Sequence, residues 1–339
     1  MASNRRMRLN FRLEDAAAVA FFVAFLAVEV IFSEVRGEGA KPADVLIIVP
    51  AVALLLAKEV IHYFVAGEET RVESTEDIRK FVRPYWNILR DWFPFLIILM
   101  MYYSLWGAAT HLLVTHDRDA SLLAWDQWLF GFEPSLALQR IISPSLTAWM
   151  EFAYAFHLYN IPIVACFLYI CRPRERFREM MFGMVLITLF GLIGYILVPA
   201  VGPLYALRNE YTVPLTQPLA IFSRQIDFMD YARITRDVFP SLHVGISFVV
   251  WLYAWRNSKT LFWILSPFIL SLWFSTVYLR YHYLVDCVVG FLLAPLAYFL
   301  ANWLFARYGE LSVAVPMPER WLEPHKPVQA GESSPGEPL

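Results

Sequence analysis

The strongest constraint on this chain is the recurrence of apolar runs close to twenty residues long, each bounded by charged or aromatic residues. A run of roughly 20 mostly apolar residues is long enough to cross the hydrocarbon core as one helix. In lipid the backbone must satisfy its own hydrogen bonds, so a run of this kind is read as a helix. On that template eight spans fall at about 14–34, 43–66, 94–114, 148–171, 180–200, 241–256, 260–281 and 283–306. Composition agrees. Of 339 residues 58% are hydrophobic and only 17% charged, where a soluble domain carries about a quarter. The expectation is an all-α polytopic membrane protein with about eight transmembrane helices.

The distribution of Lys and Arg orients the spans. With the N-terminus in the cytoplasm, 18 of the 28 basic residues fall on inside loops and tails and nine on outside loops, with Lys58 in a span. This bias predicts N-in, C-in. The basic lead Arg5, Arg6, Arg8 and Arg12 precedes an apolar run from Ala16 to Phe32. That run is long and no A-x-A site follows, which favours a retained first span over a signal peptide.

The remaining segments divide simply. Residues 1–93 hold two spans and, at 67–93, a charged amphipathic stretch expected along the cytoplasmic interface. Residues 94–308 hold the remaining spans. Residues 118–147, including WDQWLFGFEPSLALQR, read as an outer interfacial helix–turn–helix. From about 309 to 339 the chain is rich in Pro, Glu, Gly and Ser and reads as a disordered cytoplasmic tail. Cys166, Cys171 and Cys287 lie in or beside apolar runs with no CxxC spacing, so they read as packing residues. Basic residues occur only in short clusters, which argues against nucleic acid as a partner. Glu29, Lys58, Glu59 and His62 are expected to pair among themselves.

Two motifs carry chemistry. In VFPSLHVG, residues 238–245, Pro240 suits a first helical turn, which would leave the amides of Ser241, Leu242 and His243 at the positive helix end. Such an end accepts a phosphate, here with His243 beside it. An ordinary helix start with one interfacial histidine would look the same. In YLRYHYLVD, residues 278–286, His282 and Asp286 are four apart and share a face if helical. A carboxylate there can take the imidazole Nδ1–H and leave Nε2 as nucleophile. Arg280 adds a permanently charged fork for phosphate oxygens. A merely structural Arg-His-Asp network is the alternative, yet ionisable residues at a span boundary are costly enough to be functional by default. Asp126, His157 and Tyr195 read as buried structural residues that could border the same cavity.

PSLH followed some forty residues later by RYHYLVD resembles the type 2 phosphatidic acid phosphatase superfamily, whose last two motifs are PSGH and SR-x5-H-x3-D. The likeness is closer to the branch of inositol phosphorylceramide synthases, which has PSLH and lacks the Ser-Arg pair. Ser275 and Thr276 stand at that pair's positions, and the superfamily's K-x6-RP motif is missing. GYILVPAVGPLYAL at 194–207 and DQWLFGFEPSLALQ at 126–139 are similar to further segments of the branch. The resemblance covers about residues 95–305 and implies a six-helix catalytic core within 94–308.

The resemblance implies that His282 attacks phosphorus to form a phosphohistidine and that Asp286 orients it. His243 would protonate the leaving oxygen and then activate the acceptor. Arg280, the amides at Ser241–His243, and the loop residues Arg233 and Arg236 would stabilise the five-coordinate charge. No metal or cofactor is implied. The leading expectation is a lipid phosphotransferase moving a head group such as phosphoinositol from a membrane phospholipid donor to a lipid alcohol acceptor. The alternative is a phosphatase acting on a lipid or polyprenyl phosphate with water as acceptor. A transporter is set aside because its ionisable residues belong near the midplane, whereas these lie at one edge. The topology puts the site on the extracytoplasmic face, and the short loops point to a plasma (inner) membrane.

Overall fold

The computed structural model describes residues 6–36, parts of 53–62, 82–96, 116–215 and 236–316. The described chain is helical apart from one two-stranded sheet. Strand β1 (Arg6–Arg12) leads into helix α1 (Leu13–Arg36). Helix α2 covers 82–96. Then follow α3 (Asp119–Phe130), the single turn α4 (Pro134–Ala137) continued as a 3-10 turn over Leu138–Ile141, α5 (Pro144–Ala155), α6 (His157–Cys171) and α7 (Arg174–Leu197). A further single turn, α8 (Pro203–Ala206), precedes α9 (Leu242–Asn257), α10 (Lys259–Tyr278), α11 (Leu284–Tyr308) and strand β2 (Glu310–Pro316).

Among the described residues three helices are long and apolar enough to cross a membrane, namely α7, α10 and α11. The pair α5–α6 makes a fourth if its two bent halves count as one span. The sequence expected one continuous span at 148–171, but the two halves bend by 44° around Phe156. Pro162 lies further along α6, where it has no N–H for the Leu158 carbonyl. The expected spans at 43–66 and 94–114 fall mostly outside the described residues.

Helix α9 is the hub, packed against α6, α7, α10 and α11. Its Val249 and Val250 share one buried apolar cluster with Met184, Ile187, Ile269, Ala294 and Ala297. Close approach at its N-terminus depends on glycines. A Cβ at Gly290 of α11 would lie 2.7 Å from the Ser241 carbonyl, and one at Gly194 of α7 would lie 2.1 Å from Pro240. Both contacts press the VFPSLH segment onto its neighbours, so the position of His243 is set by packing.

The opposite end of the bundle is polar and buried. Arg12 and Arg174 both pair with Asp91, at 2.6 and 2.8 Å, and Arg178 pairs with Glu14 at 3.0 Å. Lys58 pairs with Asp15. These ion pairs fasten β1, α1 and α2 to the start of α7. Strands β1 and β2 are antiparallel, Arg6 opposite Pro316 and Arg12 opposite Glu310. Residues 310–316 are thus ordered as a strand where the sequence expected a disordered tail, because the N-terminal strand gives their backbone groups partners. Residues 317–339 lie outside the described residues.

Candidate active site

The site forms where the N-termini of α9 and α11 meet. Helix α9 starts at Leu242 with Ser241 as its cap, the hydroxyl accepting the Val244 amide at 3.4 Å. Pro240 therefore stands one residue before the cap and not in the first turn. The Ser241 amide donates to the Asp286 carbonyl at 3.1 Å. The sequence expected this N–H at a phosphate; here it locks the two helix starts together. Leu242 is 6% exposed and packs over Gly191, so its contribution to a phosphate site could come only through the backbone.

Chain reversal between α10 and α11 places the second histidine. Helix α10 ends at Tyr278, and Arg280 takes a left-handed backbone at φ 69°. The amides of Tyr281 and His282 both donate to the Thr276 carbonyl, at 3.0 and 3.1 Å. Helix α11 begins only at Leu284, so His282 precedes the helix and does not share a helical face with Asp286 as expected from their spacing. The capping arrangement brings them together instead. Asp286, in the first turn, accepts the Tyr283 amide at 2.9 Å and stands 3.4 Å from His282 Nδ1 through the same oxygen.

His282 Nε2 lies 3.4 Å from His243 Nδ1. The His282–Asp286 separation is longer than a formed hydrogen bond, as catalytic contacts often are before substrate binds. With the carboxylate facing Nδ1–H, Nε2 carries the lone pair, and the N–N contact then requires the proton on His243 Nδ1. His282 is 3% exposed and Asp286 fully buried. The arrangement thus places a shielded imidazole, faced by a carboxylate, beside a second imidazole that can hold a proton.

Aromatic groups wall His243. Tyr154 stacks on it at 4.6 Å between ring centroids and 27°, and Tyr281 stacks on the far side of Tyr154. His157 lies 4.5 Å away, centroid to centroid. Tyr154 and His157 flank the α5–α6 bend, which is what lets both reach the same imidazole. By sequence His157 reads as a structural residue that could border the cavity, and nothing there singles out Tyr154. A span with a hidden bend shows no periodicity that would have pointed to either.

The remaining expected residues are dispersed. Arg280 is buried, its guanidinium 3.9 Å over the Tyr211 ring and donating to the Val213 carbonyl. Arg236 pairs with Asp117 at 2.6 Å. A carboxylate thus stands on the guanidinium that the sequence expected at a phosphate. Arg233 lies outside the described residues. Thr276, at the position of the missing family arginine, is fully buried and bonded to the Trp273 carbonyl.

Carboxylates not assigned by the sequence frame the site. Asp126 accepts the amides of Leu284 and Val285 at 2.8 and 2.7 Å, which caps α11. Asp119 accepts the amides of Val201 and Gly202 and the Tyr283 hydroxyl. Among the described residues no group of three or more His, Cys, Asp or Glu is arranged to hold a metal ion.

Burial, with Asp126 alongside, pushes the Glu133 carboxyl up to about 7 from an ordinary value of 4.5. Asp126 is also raised by burial, but the two amides it accepts favour its charged form. The pair's proton accordingly sits on Glu133. Since folding favours the protonated group, its stabilisation is complete below pH 4.5 and disappears as pH rises through about 7. Glu133→Gln should flatten the fall in melting temperature across that window; an unchanged slope would contradict a shared proton.

Comparison with known proteins identifies the family. No solved structure matches the chain significantly. A phosphoinositol dihydroceramide synthase of Bacteroides thetaiotaomicron is 27% identical over 180 residues, covering 48% of this chain and 57% of the relative. The chain thus spans under two thirds of the length of that relative. The family model described as the PAP2 superfamily matches residues 120–300, more than half of the chain and all of the helices that build the site. The chain belongs to the PAP2 superfamily.

Proposed function

We propose that the protein is an integral membrane lipid phosphotransferase that works through a phosphohistidine on His282. The observation that carries this reading is the buried trio in which Asp286 faces Nδ1 of His282 while His243 faces Nε2. His282 Nε2 attacks the phosphorus of a phospholipid, the phosphorus–oxygen bond to the glycerolipid breaks, and His243 delivers its proton to the leaving oxygen. In the second half His243 takes the proton of an acceptor hydroxyl, which attacks phosphorus and releases His282. In-line displacement puts phosphorus between the nucleophile and the leaving oxygen. The two rings, in contact at rest, must therefore part as the donor enters.

Transfer to a lipid alcohol is favoured over hydrolysis by the shielding of the nucleophile. A phosphoramidate intermediate of this kind escapes hydrolysis where water is excluded, and His282 is 3% exposed within an aromatic wall. The name of the Bacteroides relative suggests phosphoinositol as the transferred group and a ceramide-type acceptor.

The placement of the site follows from α11. It runs 25 residues from Tyr283 at the site to β2, about 37 Å at 1.5 Å per residue, which exceeds a hydrocarbon core of about 30 Å. Site and paired termini thus lie at opposite ends of a membrane-length helix. With the termini cytoplasmic, as the Lys and Arg bias favours, the site opens on the extracytoplasmic face of the plasma membrane.

Incubation of purified protein with head-group-labelled phosphatidylinositol, with and without ceramide or diacylglycerol, tests the reading. Label is expected in a new acceptor-dependent lipid. Release of label only into water, at the same rate with or without acceptor, would make the protein a phosphatase.

A further inference from the structure

In the segment 126–139, DQWLFGFEPSLALQ, four polar side chains, Asp126, Glu133, Ser135 and Gln139, act on two neighbouring parts of the site. Asp126 caps α11. Glu133 accepts the amide and the hydroxyl of Ser135, at 3.2 and 2.7 Å. The Ser135 hydroxyl in turn contacts the Tyr211 hydroxyl at 2.7 Å. Gln139 accepts the amides of Thr212 and Val213, at 2.8 and 3.0 Å. Residues 211–213 are thus gripped at three successive positions by one short segment.

That gripped strip is the bed on which Arg280 lies. The guanidinium stacks 3.9 Å over the Tyr211 ring, and its Nη2 donates to the Val213 carbonyl. Its own carbonyl is held by the Leu204 amide at 2.7 Å. Arg280 is 5% exposed, and its buried Nε has no hydrogen-bond partner among the described residues. A desolvated guanidinium with one donor spent, one face covered and Nε unspent is a donor fixed in advance. It stands two residues from the nucleophile.

We propose that Tyr211, anchored by Ser135 and Gln139, is a positioning residue for Arg280, and that the 126–139 segment is the scaffold which makes this arginine the phosphate-diester clamp in place of the absent Ser-Arg pair. The Nε edge meets a non-bridging oxygen of the donor lipid's phosphate, while Tyr211 touches no substrate atom. This inference rests on the phosphotransferase reading above.

A double-mutant cycle on the reconstituted full chain tests it, with kcat and the donor and acceptor KM measured for each variant. Arg280→Ala should lower kcat by about 10²–10³-fold, the loss expected for one preorganised charge-stabilising donor. Tyr211→Ala should lower kcat by about tenfold, with acceptor KM unmoved. In the Arg280→Ala background Tyr211→Ala should cost nothing further, because the residue it positions is gone. Tyr211→Phe keeps the ring beneath the guanidinium and should recover most of the loss. If Tyr211→Ala does not fold, Tyr211→Leu, which keeps bulk without a π face, replaces it in the cycle. Losses that multiply in the double variant, or a Tyr211→Phe variant as impaired as Tyr211→Ala, would overturn the proposal. A His282→Ala control separates the two levels: if it stays active, the phosphotransferase reading fails; if it is inactive while the cycle is multiplicative, only the clamp fails.

Discussion

His282→Ala is expected to lower turnover by roughly 10⁴–10⁶-fold, the scale seen when a covalent nucleophile is removed from a preorganised site. The size follows from what cannot substitute for it. His243, the neighbouring imidazole, presents Nδ1 to His282, whereas the Asp286 carboxylate faces Nδ1 of His282 itself. Water cannot readily take the nucleophile's place, because the position is 3% exposed. The fold should tolerate the change, since the chain reversal is held by the backbone amides of Tyr281 and His282 on the Thr276 carbonyl and not by the imidazole. Activity within about tenfold of the parent protein would mean that His282 is not the nucleophile.

Asp286→Asn is the second large effect, with an expected loss of about 10⁴-fold, the loss the same isosteric swap causes when the carboxylate of a Ser-His-Asp triad is replaced. Asparagine keeps an oxygen for the Tyr283 amide, so the start of α11 survives. What disappears is the charge facing Nδ1, and with it the tautomer that leaves Nε2 as a lone pair. The melting temperature should therefore stay close to the parent value while kcat collapses. Asp286→Ala removes the amide acceptor as well and should lose both. A kcat for Asp286→Asn within tenfold of the parent, with normal stability, would reduce Asp286 to a helix cap.

How much of this was legible in the sequence depends on whether a feature is local. The cores of α5–α6, α7, α9, α10 and α11 follow from apolar runs, because a membrane-length helix needs little beyond its own composition. The pairing of His243 with His282 was legible because each sits in a short motif whose residue types serve one chemistry. The details between motifs were not. Asp126 caps a helix that begins 158 residues later, and Tyr283 donates to Asp119 across 164 residues. Neither bond leaves a periodic trace. The Ser241 amide looked available because a helix start has free N–H groups in isolation, yet the packing permitted by Gly290 brings the Asp286 carbonyl onto it. The i,i+4 argument for His282 and Asp286 found the right pair through the wrong geometry: a capping turn, and not a helical face, brings them together. The strand pairing of the two termini joins segments some 300 residues apart and was invisible for the same reason.

Thr276, at the position of the family's usual phosphate arginine, lies inside the core, bonded to the Trp273 carbonyl and 3.3 Å from the Cys287 sulfur. Four residues later the chain turns through a left-handed conformation at Arg280, whose guanidinium reaches the Val213 carbonyl. The proposed clamp would thus come from the reversal itself and not from the preceding helix.

The most direct test of the central claim is to trap the intermediate. The protein is mixed with phosphatidylinositol labelled in its phosphate, without acceptor, quenched in base and digested for mass spectrometry. The account predicts an acid-labile, base-stable adduct on His282, absent from His282→Ala and discharged into lipid when ceramide or diacylglycerol is added before the quench. Acceptor-dependent turnover with no adduct on His282, or an adduct on His243 instead, would contradict it.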